Sequence, residues 1–197
     1  DKCPENSVKK VKSKSRKLKK IYRSKNGGVG AAVKDGYTFS LKDKNYLTVR
    51  IDGDGQMDLK LIKNFIDPII NNKADFTKGN RFMDLTFSKK MPPIRIIGNI
   101  FFSLIGNIIT RKITIFDFLN GYTSIKNIAL KKIIKTNLDN DYYFDTILIY
   151  QLVKLRLKIL DIKMKAKYEN EKSNINILTT GFSFLLKNIY FFLGIKK

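Results

Sequence analysis

Apolar and polar residues change their spacing along the chain in a regular way. From Tyr46 to Ile51 they alternate, the period of a half-buried strand. From Leu59 to Ile70 the apolar positions Leu59, Ile62, Phe65, Ile66 and Ile69 fall on one helical face, with Pro68 bending or shortening the helix. Ala74 to Thr77 reads as a strand again, and Lys78-Gly79-Asn80-Arg81-Phe82 as a small turn that delivers two cations. Met91-Pro92-Pro93 opens a helix, since proline suits a first helical turn, and Ile100 to Ile109 continues it with almost no polar residue. That apolar stretch is read as a core helix, a lipid-facing surface being the alternative. Phe116 to Ile125 reads as a turn feeding a strand, Thr146 to Leu157 as a helix, and Ile159 to Lys167 as a half-exposed strand of alternating apolar and basic residues. Strand, turn, helix and strand in alternation predict an α/β fold with a largely parallel central sheet flanked by helices.

The ends are different. Ser7 to Arg16 is strongly basic and reads as a solvated helix, and Leu18 to Arg23 as a short strand. Glycines in Asn26-Gly27-Gly28-Val29-Gly30 make a tight turn, and the small residues after them let a helix sit close to a neighbour or a ligand. The spacing completes neither a dinucleotide fingerprint, because Val33 stands where a third Gly or Ala belongs, nor a P-loop. Ile175 to Leu193 is amphipathic, with phenylalanines at helical spacing, as in an interfacial helix. The organisation expected is one α/β unit over 1–173 and an amphipathic C-terminal helix over 174–197. The longest apolar runs, Ile94 to Ile109 and Ile175 to Ile195, are interrupted by Asn, Gly and Lys and fall short of the ~20 clean apolar residues of a spanning helix.

Charge narrows the partners. Thirty-nine Lys and Arg against 17 Asp and Glu give a formal charge of +22 over 197 residues, which favours anionic partners: phosphates, acidic lipid surfaces or nucleic acid. Nucleic acid fits poorly, because Ser7 to Lys20 holds no aromatic residue on which a base could stack. Cys3 is the single cysteine, so there is no internal disulfide and a reducing compartment is expected. With no histidine there is no His-based triad, no His general base and no zinc site of the usual kind.

The chemistry concentrates at Ile51-Asp52-Gly53-Asp54-Gly55-Gln56-Met57-Asp58. Asp52 and Asp54 are expected side by side at the C-terminal lip of a strand, where open α/β sheets bind ligands. Two hard oxygen donors on a short turn suit Mg²⁺ or Mn²⁺, which usually arrive with phosphates. A calcium loop is excluded, because Met57 holds the required Gly position and Lys63 the place of the bidentate Glu. Asp58 fits a helix N-terminus and needs no catalytic role.

This turn resembles the aspartate motif of glycosyltransferase family 2, in particular the branch of dolichol-phosphate mannose synthases and bacterial polyprenyl-phosphate glycosyltransferases. Asn26 to Gly30 with Gly36-Tyr37, Lys78 to Phe82, Met91-Pro92 with Arg95 to Asn99, and Asp117 with Asn120-Gly121-Tyr122 match in order. Tyr143-Phe144-Asp145 with Glu171 and Ser173 matches more loosely. The resemblance implies a GT-A nucleotide-diphospho-sugar transferase fold and transfer of a sugar, with inversion, from a nucleotide sugar donor to a polyprenyl phosphate or glycan acceptor in cell-envelope or polysaccharide synthesis. It implies Mg²⁺ or Mn²⁺ held by Asp52, Asp54 and Gln56, donor contacts from Asp1, Gly28, Gly30, Asp52 and Asn99, and catalytic roles for Asp54, Arg81, Arg95 and Asp145. Arg81 and Arg95 would grip phosphate in the bidentate manner that suits Arg, although Asp84 and Asp75 are other partners open to Arg81. Lys165 or Lys167 would stand in for a further arginine of the branch. Asp117 and Asn120 cap a turn or contact ligand. Asp1 resembles the last Asp of an early Asp-Asp loop, so the chain is expected to lack the first strand and helix. A peripheral location on the cytoplasmic face of a membrane follows from the same resemblance and the Phe-rich tail. A basic phosphate- or nucleic-acid-binding module and an inactive transferase fragment are the alternatives.

Overall fold

The order of elements in the computed structural model is α1 (Ser7–Lys10), α2 (Val29–Ser40), β1 (Leu47–Arg50), a 3₁₀ turn (Leu59–Leu61) running into α3 (Ile62–Ile70), β2 (Phe76–Asn80), a second 3₁₀ turn (Arg81–Met83), α4 (Pro93–Thr110), β3 (Thr123–Lys126), α5 (Asn127–Ile133), α6 (Phe144–Lys154), β4 (Ile159–Lys163) and α7 (Ile177–Phe192). The structure describes residues 7–12, 15, 17–84, 86, 91–111, 115–165 and 177–194. Asp1, Lys167, Glu171 and Ser173 lie outside them.

The sheet has the order β1-β3-β2-β4. β3 is antiparallel to both of its neighbours, with Arg50 opposite Thr123 and Lys78 opposite Thr123, while β2 and β4 are parallel. β1, β2 and β4 therefore run the same way and β3 alone is reversed. Three of the four strands run the same way, as the α/β fold class predicts, and the reversed β3 makes the sheet mixed, with β2 and β4 pairing in parallel. The physical cause is the position of β3. The β1-α3-β2 crossover leaves a gap one strand wide, and β3 fills it from the opposite direction, giving both neighbours antiparallel ladders. One sheet edge thus collects the C-terminal ends of three strands and the N-terminal end of β3.

Helices cover both faces. Phe65 of α3 stacks on Tyr122 with ring centroids 3.9 Å apart and planes 15° off parallel, and Ile162 and Met164 complete this smaller cluster. On the other face Phe76 and Ile125 meet Leu130, Ile133, Phe144, Leu148 and Leu152 from α5 and α6. β2 is buried throughout, as a central strand should be. Pro68 is accommodated inside α3, which ends two residues later at Ile70.

Three other expectations change. The basic segment from Ser7 forms a single helical turn, because lysines at helical spacing repel one another and its own first turn holds no acidic residue. Leu18 to Arg23 forms no strand; Leu18, Ile21 and Tyr22 are exposed, and Arg23 reaches α2 to pair with Asp35. The third concerns α4, which is inverted relative to a core helix. Many of its apolar side chains face outward, with Ile97 64% and Ile108 73% exposed, whereas Asn99, Ser103, Gly106 and Asn107 are buried and Phe102 and Ile109 pack against the core.

Candidate active site

β1 places Thr48, Arg50 and Asp52 on one face, because alternate strand residues share a side. Arg50 is 8% exposed and lies between two carboxylates: its Nε is 3.2 Å from Asp52 Oδ1 and its Nη1 is 2.5 Å from Asp145 Oδ1. Its guanidinium also stands over the Phe144 ring, 5.8 Å from the centroid. A charge this deeply placed is stable only when paired, and two partners from distant segments supply that pairing. Burial pushes the Asp145 carboxyl above its ordinary range, and the Arg50 charge offsets only part of this. Arg50 was absent from the residues singled out in the sequence. The period-2 pattern contained the signal, since it sets Arg50 on the same side as Asp52.

Beyond Asp52 the chain turns through Gly53 to Gly55, and Gly55 takes a positive φ of 77° that favours glycine. Asp54 is exposed on this turn, and its Oδ1 accepts from the Gln56 backbone N–H at 3.0 Å. Asp58 caps the following 3₁₀ turn, accepting from the Lys60 N–H at 2.9 Å. Asp52 and Asp54 thus both lie on the turn just past the end of β1, with Gln56 two residues on. No cluster of three His, Cys, Asp or Glu occurs among the described residues. The pair nevertheless suits Mg²⁺ or Mn²⁺, because such ions take one or two carboxylates and fill the remaining positions with water and phosphate oxygens.

β3 enters beside this turn. A Cβ on Gly121 would lie 2.2 Å from Asp52 Oδ2 and 2.9 Å from Arg50 Nη2, so the Asp52 carboxylate rests directly against the glycine backbone. Gly121→Ala is expected to displace Asp52, at a cost of about 1–3 kcal/mol in stability. Most of that cost should vanish in an Asp52→Ala background; thermal unfolding of the two single variants and the double variant measures the coupling.

At the neighbouring strand end Arg81 pairs with Asp117. Its Nε is 2.7 Å from Asp117 Oδ2, its Nη2 is 2.5 Å from Oδ1, and its backbone N–H donates to Oδ2 at 3.0 Å. The partner is neither Asp84, which accepts from Thr86, nor Asp75, which accepts from the Lys158 N–H. Asp117 also accepts from Asn120 Nδ2 at 3.0 Å, and its own N–H donates to Ser103 Oγ at 3.1 Å. Asn120 Oδ1 in turn accepts from the Tyr122 N–H. Asp117 and Asn120 therefore build the turn that leads into β3. Burial alone would raise the Asp117 carboxyl; the Arg81 charge and its hydrogen bonds outweigh that and hold it at about 2. Below them Lys78, buried in the sheet, lies 3.1 Å from Asp161 Oδ1, and Asn80 donates to Asp161 Oδ2 at 2.6 Å.

The glycines of the first turn lie against the loop that precedes α6. A Cβ on Gly28 would meet the Asn140 carbonyl oxygen at 2.5 Å, and one on Gly30 the Asp139 carbonyl oxygen at 2.6 Å. The Ala31 N–H donates to the Asn140 carbonyl at 2.8 Å. The close approach these glycines permit is to the 139–140 backbone, the neighbour alternative of the reading from the residues. Arg95 and Asn99 lie one turn apart on α4, Asn99 on the buried face with Ser103, which abuts the Asp117 turn. Lys165 is exposed just past β4.

A sequence model of glycosyl transferase family 2 matches residues 1–134, which hold the β1 acidic turn and the Asp117–Tyr122 turn. The chain belongs to glycosyl transferase family 2. Its fold is that of the GT-A glycosyltransferases. Glucosyl-3-phosphoglycerate synthase from Mycobacterium tuberculosis, crystallised with phosphoglyceric acid, superposes with a TM-score of 0.64 at 11% identity over 90% of this chain. The chain spans 58% of that synthase's length. A crystal form of the same synthase with Mn²⁺, uridine-diphosphate-glucose and phosphoglyceric acid gives a TM-score of 0.60 at 12% identity over 86% of this chain and 56% of the other. Among curated sequences, the uncharacterized protein MJ1222 of Methanocaldococcus jannaschii is 29% identical over 170 residues, 83% of this chain and 68% of that protein.

Proposed function

We propose that this family 2 member transfers a sugar, with inversion, from a nucleotide diphosphate sugar to a polyprenyl phosphate at the cytoplasmic face of a membrane, as in the lipid-phosphate branch of the family. The observation that carries the reading is the sheet edge itself: Asp52 and Asp54 stand at the end of β1, with Asp145 tied to Asp52 through Arg50. Asp52 faces the nucleoside and, with Asp54 and Gln56, provides the donors for Mg²⁺ or Mn²⁺. A divalent ion bound there supplies Lewis-acid neutralisation of the leaving diphosphate. The structural neighbour that holds Mn²⁺ and uridine-diphosphate-glucose supports a donor of this class. Arg95 and Asn99, on the helix beside the site, provide a cation and an amide for phosphate oxygens, a role for which Arg geometry is suited.

A phosphate acceptor arrives as an anion and requires no general base. This agrees with the absence of histidine and with Asp145 being engaged by Arg50. A glycan hydroxyl acceptor is the second reading. It is favoured by one observation: burial raises Asp145, which moves a carboxyl toward the range useful for accepting a proton at neutral pH.

The deciding measurement is calorimetric titration of the folded chain with uridine, guanosine and other nucleoside diphosphates, with and without Mn²⁺. Divalent-dependent binding of at least one nucleotide is expected; absence of binding to all of them would overturn the reading. Asp145→Asn then separates the acceptors. Transfer to a polyprenyl phosphate should survive within roughly tenfold, whereas transfer to a hydroxyl should fall by about 10²–10⁴.

A further inference from the structure

We infer that Arg50 is a positioning residue for the donor site: its guanidinium fork fixes the Asp52 carboxylate for the nucleotide and its divalent ion, and Asp145 is the buried anchor that neutralises the fork. The inference rests on the donor reading above, and its closing experiment tells the failure of one from the failure of the other.

The two arms of Arg50 differ. Asp145 is the anchored arm. It stands in the first turn of α6, where a helix N-terminus favours a carboxylate, and its side chain is only 13% exposed. Its Oδ1 lies 2.5 Å from Arg50 Nη1, and the Phe144 ring of the same turn stands against the guanidinium. Asp52 is the open arm, with a side chain 38% exposed and Oδ1 3.2 Å from Arg50 Nε. An ion pair that open adds little stability. Its effect is orientation. An aspartate carboxylate otherwise turns broadly about its last bond. Here Arg50 takes one oxygen, and the other lies against the Gly121 backbone. Both oxygens are therefore set before a ligand arrives, and binding does not have to order them.

Charge explains why the fork has a second carboxylate. An arginine paired with Asp52 alone would cancel the negative charge that a divalent ion needs. With Asp145 on its other arm, Arg50 becomes half of a neutral pair, and Asp52 keeps its charge for the ion. Tyr37, buried in the field of the same three groups, brings only a neutral hydroxyl. The fork itself is needed as well as its charge. Arg50→Lys keeps one positive charge, but an ammonium is a point donor on a flexible stem and cannot hold two carboxylates in a fixed geometry.

Arg50→Lys, and the uncharged pair Arg50→Met with Asp145→Asn, leave no buried charge without a partner, so both should fold, as thermal unfolding checks. At saturating Mn²⁺, calorimetry should show each binding uridine or guanosine diphosphate roughly three- to tenfold more weakly than wild type. Asp145→Asn alone should act on the ion instead. With nucleotide saturating, electron paramagnetic resonance of free Mn²⁺ should show affinity lowered roughly three- to tenfold, because the Arg50 charge then falls on Asp52. Adding Arg50→Met to Asp145→Asn should return Mn²⁺ affinity toward wild type, a recovery that a merely structural role of the pair would not give. The inference is overturned if folded Arg50→Lys and the uncharged pair bind nucleotide as wild type does. It is also overturned if Asp145→Asn leaves Mn²⁺ affinity unchanged, the result expected of a general base. Wild type that binds neither nucleotide in the presence of Mn²⁺ overturns the donor reading and this inference together. Wild type that binds, with variants that bind equally well, overturns this inference alone.

Discussion

Asp54→Ala is expected to lower divalent-dependent sugar transfer by about 10³-fold while leaving the unfolding temperature unchanged. Asp54 is exposed on the turn, and its recorded partner is the Gln56 N–H two residues away, so the fold does not depend on it. Transfer, in contrast, requires the leaving diphosphate to be neutralised. In the site proposed above, removing one of two carboxylate donors to the ion that would do this costs several kcal/mol, at about 1.4 kcal/mol per factor of ten. Asp58 is the internal control. It lies four residues further on, yet caps the next turn, so Asp58→Ala should cost about 1 kcal/mol of stability and leave transfer nearly intact. Steady-state kinetics over a Mn²⁺ series, with thermal unfolding in parallel, checks both. Metal-dependent transfer surviving in Asp54→Ala would refute the assignment of the site.

Asp117→Ala should give the largest loss of stability, about 3–5 kcal/mol, because it removes the one buried carboxylate that pairs with the Arg81 guanidinium and accepts from the Arg81 N–H and the Asn120 amide. The pair also sets an acid limit. Asp117 titrates near 2 in the folded chain, below the ordinary carboxylate value of about 3.9. A carboxyl lowered by folding binds more protons when unfolded. Its contribution, about 2.6 kcal/mol, is therefore complete above about pH 4 and lost as the pH falls through about 2. Denaturant unfolding between those limits should show this slope in wild type and its absence in Asp117→Asn. Comparing the two isolates Asp117 from Asp145, whose raised carboxyl works in the opposite direction. An unchanged acid limb in Asp117→Asn would show that the Arg81 pair does not hold the turn.

Much of the fold was legible because it depends on neighbours in the chain. Alternation from Tyr46 to Ile51, the one-sided period from Leu59 to Ile70 and the prolines before α4 each located an element to within a few residues. The acidic turn was legible for the same reason: a strand followed by Asp52-Gly53-Asp54 can only present those carboxylates at its end. The reversed β3 was not legible. Four residues of strand carry no direction, and which neighbour they join depends on the gap left between β1 and β2.

Within the site, the sequence by itself determined the residue types and their order: two carboxylates at a strand end, glycine before β3, a carboxylate opening α6. Tertiary structure alone decided what each touches. Arg81 offers a fork to any carboxylate within reach, and the one it meets is Asp117, 36 residues away in the chain. Gly28 and Gly30 signalled close approach without naming the partner, which proved to be the 139–140 backbone. Arg50 could be placed beside Asp52 by strand period, but its second partner, Asp145, lies 95 residues on. Periodicity in α4 likewise fixed which residues share a face and left open which face meets water. Helical spacing records only the separation of polar from apolar sides; the direction each side points is set by what the rest of the chain puts against it, here the Asp117 turn against Ser103.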